Sequence, residues 1–180
     1  AEQPAVEEEA YPLPTTVGEI TVTARKVEED IQKVPVSVTN LQGEDLDVLT
    51  TGGVDVRALS GRVPSLVMES SFGRAFPRFY IRGLGNADFD LNASQPVSMV
   101  VDEVVLENPI VKGMPLFDLD RVEVLRGPQG TLFGRNTPAG IVKFETVKPS
   151  QEFDAFVRAS FGTYSTTDIQ AAVGGSLGGG

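Results

Sequence analysis

Apolar and polar residues alternate with a period of two in several short segments of this chain, so short half-buried strands are its dominant prediction. Residues 19–24, 34–39 and 121–125 carry the alternation, and the short apolar runs 66–68, 79–81, 97–101, 104–106 and 141–147 also read as strands, with Gly, Pro, Asn or Asp punctuating between them. In 121–125, Val122 and Val124 share one face while Arg121, Glu123 and Leu125 share the other. Pro35 lacks an N–H to give to a ladder, which places its strand at an edge or makes it a strand start. Residues 43–50 read as a short helix with Leu41, Leu46 and Leu49 on one side, and 54–59 adds a helical turn or two. Residues 34–149 therefore read as one small α+β domain, a short mixed β-sheet with small helices.

The flanks differ. Residues 1–18, AEQPAVEEEAYPLPTTVG, are acidic and broken by Pro4, Pro12 and Pro14, a composition that cannot offset its own ordering entropy. Residues 1–33 thus read as a flexible arm. Within it, the extended segment 19–24 has few expected neighbours of its own and is a candidate for joining another protein's sheet. In 150–180, Phe153, Ala155, Val157, Ala159 and Phe161 share one face, and Ile169, Ala171 and Val173 repeat the pattern after a turn. Each alternation approaches the ~9–11 residues of a membrane-spanning strand. Two strands cannot close a barrel, and an open edge is not viable in lipid. The segment is either a soluble hairpin or the start of a barrel cut short, and the closing Gly178-Gly179-Gly180 favours the second.

Composition removes several functions. The chain has no Cys and no His, so disulfides, thiolate metal sites, cysteine nucleophiles, Ser-His-Asp triads and the usual zinc hydrolase schemes all fall together. The remaining carboxylates form no recognisable acid–base pair, and the chain is not expected to be an enzyme or to hold a cofactor or metal. Fifteen bases against 25 acids give a net charge of −10, which disfavours nucleic acid. Five of those acids (Glu2, Glu7, Glu8, Glu9 and Glu19) lie in residues 1–24, where there is no base. No apolar run approaches the ~18–20 residues of a transmembrane helix.

Two motifs are decoys. The GLG at 83–85 begins like a dinucleotide fingerprint, but Asp88 stands where the third glycine belongs. Asn86, Asp88, Asp90 and Asn92 fall at alternate positions, as in a calcium loop, yet Leu91 and Val97 occupy the places of its turn glycine and bidentate glutamate. The run 118–140 is more telling. Gly127, Gly130, Gly134 and Gly140 interrupt it, Arg126 and Arg135 project from it, and no Lys-Ser/Thr ends it as a phosphate loop requires. Tight turns joining short strands explain the glycines, and planar arginine donors suit carboxylates across an interface.

These residues also carry a resemblance. RVEVLRGPQGTLFGRN at 121–136 closely resembles the signature of the plug domain of TonB-dependent outer-membrane receptors. In the same order as in that family, ITVTA at 20–24 resembles the TonB box, VPVSV at 34–38 the first plug strand, and FYIRG at 79–83 the Ile-Arg-Gly strand. VVDEV at 100–104 is similar to the family's VDGV strand pair, with Glu103 where glycine is usual. NTPAG at 136–140 departs from the more frequent Gly-Gly form. The resemblance spans about 19–149, and 152–177 resemble the first strands of the barrel.

The resemblance implies a plug inside an outer-membrane barrel of about 22 strands, with ligand on the external side and the arm in the periplasm. The periplasmic C-terminal domain of TonB would pull on Glu19, Ile20, Thr21, Val22, Thr23 and Ala24. Arg82 and Arg126, with Glu123 and Arg135, would dock the plug on its own barrel. Phe72, Arg74, Phe76, Asp88, Phe89, Asp90 and Asn92, on outward loops, are the candidates for contact with a small nutrient such as a siderophore, vitamin or carbohydrate. Lipid would meet the protein through the barrel. The alternative is a soluble periplasmic ligand-binding or interaction module without transport, against which the 152–177 hairpin counts.

Overall fold

The computed structural model describes residues 20–176 apart from 51–54, 72, 74, 89, 91, 114, 116, 135 and 136. In chain order the strands are β1 (Thr21–Val22), β2 (Glu29–Asp30), β3 (Ser37–Gln42), β4 (Leu66–Glu69), β5 (Arg78–Ile81), β6 (Val97–Val101), β7 (Val104–Leu106), β8 (Leu119–Arg126), β9 (Gly140–Thr146), β10 (Asp154–Phe161) and β11 (Thr167–Gly174). Two short helices, α1 (Glu44–Thr50) and α2 (Gly130–Phe133), complete the set with a few 3-10 turns.

The centre is a five-stranded mixed sheet in the order β3-β8-β9-β6-β7, with β6 and β9 parallel and the other neighbours antiparallel. The two-residue period sorts its side chains into two layers. Leu41, Val97, Met99, Val122, Val124, Val142 and Phe144 face α1, the 3-10 turn at Val56–Leu59 and the hairpin β4–β5, forming the larger core. Val100, Leu125 and Ile141 face the other way, against Val22, Ala24, Val34 and Phe133. The second layer exists because residues 20–34 and α2 lie across it.

Register gives the sheet two ends. Ser37, Arg126, Gly140 and Val97 line up at one end, and Gln42, Arg121, Glu145 and Val101 lie towards the other. The loops 82–96 and 107–113 leave from the first end. The β6–β7 turn, where Asp102 and Glu103 both take left-handed backbone (φ 45° and 70°), sits at the second.

Most of the expected elements form, and the shifts have local causes. The strand expected at 34–39 begins at Ser37, past Pro35, and continues to Gln42. The turn near 54–59 is 3-10, capped by Asp55, whose carboxylate accepts the Arg57 N–H at 3.0 Å and also pairs with its guanidinium at 2.7 Å. The GLG glycine Gly85 is a packing residue, since a Cβ there would stand 2.1 Å from the Tyr80 ring.

The described part of the arm departs furthest from expectation, while residues 1–19 lie outside the described residues. Residues 20–33 are not a free extension: β1 pairs with β2, the Ile31 N–H donates to the Ile20 carbonyl at 2.9 Å, and Val22 and Ala24 are buried. Burial of two apolar side chains and a hairpin's hydrogen bonds supply what a lone strand lacks.

β10 and β11 pair antiparallel over their full lengths. Phe153, Val157, Phe161, Ile169 and Val173 are all exposed on the outer face. The inner face touches the domain, with Arg158 Nη2 3.0 Å from Asp47 Oδ1 and the Phe156 ring 6.2 Å from that of Phe117.

At Gly140 the backbone has φ +147°, and a Cβ would meet the Leu125 carbonyl oxygen at 2.2 Å. Gly140→Ala should therefore destabilise the chain by about 2 kcal/mol or more, through strain and a forced shift of the β8–β9 ladder. Denaturant unfolding of both chains measures this, and an unchanged midpoint would contradict it.

Candidate functional site

Segment 20–24 lies over the charged part of the second sheet face. Glu123 on β8 and Lys143 on β9 are cross-strand partners, and both have 0% exposure. Neither charge can be buried without polar company, and Thr23 supplies much of it. Its N–H donates to Glu123 Oε1 at 2.6 Å, its hydroxyl donates to the same oxygen at 3.1 Å, and Lys143 Nζ donates to the hydroxyl oxygen at 2.8 Å. Lys143 also meets Glu145 at 2.6 Å and Glu103 at 2.7 Å. Lys26 lies 3.8 Å from Glu103 and 5.1 Å from the centre of the Phe133 ring.

Burial pushes the Glu123 carboxyl above the usual carboxylate range, against the opposing pull of the Thr23 N–H and of Lys143. Burial also works against the charge on Lys143, but its bonds to Glu103 and Glu145 outweigh that and hold it above the usual lysine range. The sheet end beside this cluster opens into a cleft of about 910 Å³, lined by Thr23 and Lys26 together with Glu28, Glu103, Arg121 and Glu145 among others.

Glu123, which the resemblance led us to expect as a docking residue on a barrel, instead faces Thr23, because segment 20–24 covers its face of the sheet. Arg126 and Arg82 sit at the opposite end. The Arg126 guanidinium donates to the Pro64 carbonyl at 3.1 Å, to Ser37 Oγ at 3.2 Å and to Thr39 Oγ1 at 2.5 Å, all neutral acceptors. Burial and the neighbouring Arg82 charge lower its pKa. Arg82 is exposed, with left-handed backbone at φ 52°. The structure thus sets two guanidiniums side by side, with that of Arg126 bonded to neutral oxygens.

Among the outward loop residues, Asp88, Asp90 and Asn92 are exposed. One side-chain oxygen of each of Asn86, Asp88 and Asp90 is taken by the N–H two residues on, at 2.8, 3.0 and 2.9 Å, so these groups brace their own loop. Phe76 is half-buried with left-handed backbone. Glu19, Phe72, Arg74, Phe89 and Arg135 lie outside the described residues.

Sequence reasoning missed Lys143, Glu145, Lys26 and Lys112. A matched Glu and Lys on neighbouring strands was the available signal, but it becomes one only when register is known. Lys112, in the 3-10 turn Val111–Gly113, has 1% exposure. Its ammonium donates to the Val97 carbonyl at 3.1 Å and stands 5.9 Å from the Phe79 ring centre, tying loop 107–113 to the start of β6.

Comparison with known proteins bears on the fold. A sequence model of the TonB-dependent receptor plug domain matches residues 30–141. The chain belongs to that family. It is 36% identical over 104 residues to the pesticin receptor of Yersinia pestis, covering 56% of this chain and 15% of that protein. It is 25% identical over 158 residues to the ferric-pyoverdine 358 receptor of Pseudomonas putida, covering 88% of this chain and 18% of that one. In structure it is similar to the ferric yersiniabactin uptake receptor from Yersinia pestis, with a TM-score of 0.70 and 26% identity over 79% of this chain and 22% of the other. The chain thus spans less than a quarter of the length of these relatives.

Burial lowers the Lys112 pKa from 10.5 to about 8, with Glu107 pulling it back up. Between those values the unfolded chain holds a proton that the folded chain has released. Stability therefore rises with pH across the window, by up to about 1.4 kcal/mol per unit, and that contribution is lost as pH falls through 8. Lys112→Met should lack the rise. Urea unfolding of both chains at several values from pH 7 to pH 10.5 tests this, and parallel pH profiles would contradict it.

Proposed function

We propose that this chain is the N-terminal part of an outer-membrane active-transport receptor. The sheet domain plugs a barrel of about 22 strands, of which β10 and β11 are the first two. Segment 19–24 faces the periplasm and is the strand on which the C-terminal domain of TonB pulls to remodel the plug and admit a bound nutrient.

The observation that carries this reading is the two-faced hairpin. Its outer face is a stripe of exposed Phe, Val and Ile, while its inner face holds the plug through Arg158 and Phe156. An apolar-out, polar-in strand pair is what lipid on one side and a polar lumen on the other require. The outer stripe stays exposed in this chain because its solvent is the bilayer.

Three assignments follow. Arg82 and Arg126 are held for barrel carboxylates, since two neighbouring cations gain most from acceptors that arrive from outside. Arg135 is proposed for the same interface. The nutrient approaches the end of the sheet from which loops 82–96 and 107–113 leave, away from the TonB strand, and Phe72, Arg74, Phe76, Asp88, Phe89, Asp90 and Asn92 are its proposed contacts. The names of the ferric-pyoverdine and ferric yersiniabactin receptors support a ferric siderophore ahead of a vitamin or a carbohydrate.

Strand pairing uses main-chain groups, so its test is a substitution that removes one. In Val22→Pro the N–H is gone and the ring blocks pairing. The full chain in mild detergent should bind the TonB C-terminal domain, and Val22→Pro should weaken that binding at least tenfold. Equal binding by the two chains would overturn the assignment of segment 19–24.

A further inference from the structure

Loop 107–113, at the proposed nutrient end, is built inside out. Ile110 and Val111 are 55% and 40% exposed, while Lys112 beside them is 1% exposed. Isoleucine and valine are among the residue types most often buried, and lysine among the least. The usual sorting is reversed at three consecutive residues, and such a local conflict marks a place where something besides folding is being satisfied.

Both ends of the loop are tied to consecutive residues of one strand, β6. The buried Ser98 hydroxyl donates to Glu107 Oε1 at 2.6 Å, and Lys112 Nζ donates to the Val97 carbonyl at 3.1 Å. The Phe79 ring of β5, 5.9 Å from the ammonium to its centre, gives the charge a second partner. Between the ties the loop is closed on itself. Asn108 Oδ1 accepts the Ile110 N–H at 3.0 Å, and the Asn108 and Ile110 carbonyls accept the Val111 and Gly113 N–H groups at 3.2 and 3.3 Å. The inner face of β10 and β11 carries Arg158, Ser160, Asp168 and Gln170. Two aliphatic side chains do not complement so polar a wall, whereas they suit the hydrocarbon part of a small nutrient.

We propose that Lys112 is a positioning residue: with Glu107 it holds loop 107–113 inside out, so that Ile110 and Val111 stand as a fixed apolar contact for the nutrient. The inference rests on the proposed nutrient side of the receptor. A directional bond from a buried cation fixes one geometry at the expense of stability, where an apolar side chain would do the opposite. A loop already ordered before the nutrient arrives loses less freedom on binding it.

This trade separates positioning from a merely structural role. Lys112→Met keeps the side-chain volume and removes both the charge and the bond to Val97. At pH 7 the full chain in mild detergent should keep or raise its urea midpoint, while amide exchange at Val111 and Gly113 becomes at least about tenfold faster. Ser98→Ala, which releases the Glu107 end, should speed the same amides. The second readout is the broadening of the Ile110 and Val111 methyl resonances by millimolar ferrioxamine B, a paramagnetic ferric hydroxamate, which should weaken at least about threefold in both variants. If exchange stays at the wild-type rate, or exchange and midpoint suffer together, the positioning role is overturned, and broadening at these methyls in wild type leaves the nutrient side standing. If wild type shows no broadening there, the nutrient-side reading is overturned, and with it the contact assigned to Ile110 and Val111.

Discussion

A buried pair of opposite charges, Glu123 beside Lys143, governs how this chain is organised. Each side chain would be costly to bury alone, and together they still leave hydrogen-bonding capacity that only a polar cover can use. Thr23 provides that cover, and bringing it there draws Val22 and Ala24 onto Val100, Leu125 and Ile141. The second hydrophobic layer thus comes with the segment that gives Glu123 Oε1 and Lys143 their polar cover. Such an arrangement gives geometric specificity with modest net stability, which suits the opening that the proposed coupling role requires.

The same sheet keeps two kinds of interaction apart. At one end are Arg82, Arg126 and the loops 82–96 and 107–113, with Lys112 fastening the second loop to the Val97 carbonyl. At the other end are Glu103, Arg121, Glu145 and the cleft beside segment 20–26. β8 and β9 run between them, and Glu123 and Lys143 sit within those strands. Whatever displaces one end bears on the same two hydrogen-bonded strands that hold the other, so a rigid ladder links nutrient side and coupling side in the proposed receptor.

In the proposed receptor the hairpin β10–β11 obeys a different solvent, the bilayer. Its outer face would be a liability in water, where an exposed apolar stripe with an unpaired edge invites aggregation. Its inner face is satisfied by Asp47 and Phe117. In the proposed receptor the rest of a barrel would cover that edge; the chain itself spans less than a quarter of the length of its relatives.

The sequence by itself determined the strands, the helix at 44–50, the paired alternation of 153–173 and the plug signature at 121–136, because each is written in local periodicity or in contiguous residues. The hairpin within 152–177 also followed, since its strands are neighbours in the chain, whereas the pairing of β1 with β2 did not. What only the tertiary structure decided was which polar residues are inside. Glu123 and Lys143 are 20 positions apart and Thr23 lies 100 positions from Glu123, so nothing local marks them as partners. Alternation put Glu123 on the face opposite Val122 and Val124 without saying what covers that face, and residues 1–33 read as a flexible arm. Register placed the two charges side by side, and long-range packing then turned that arm into their cover.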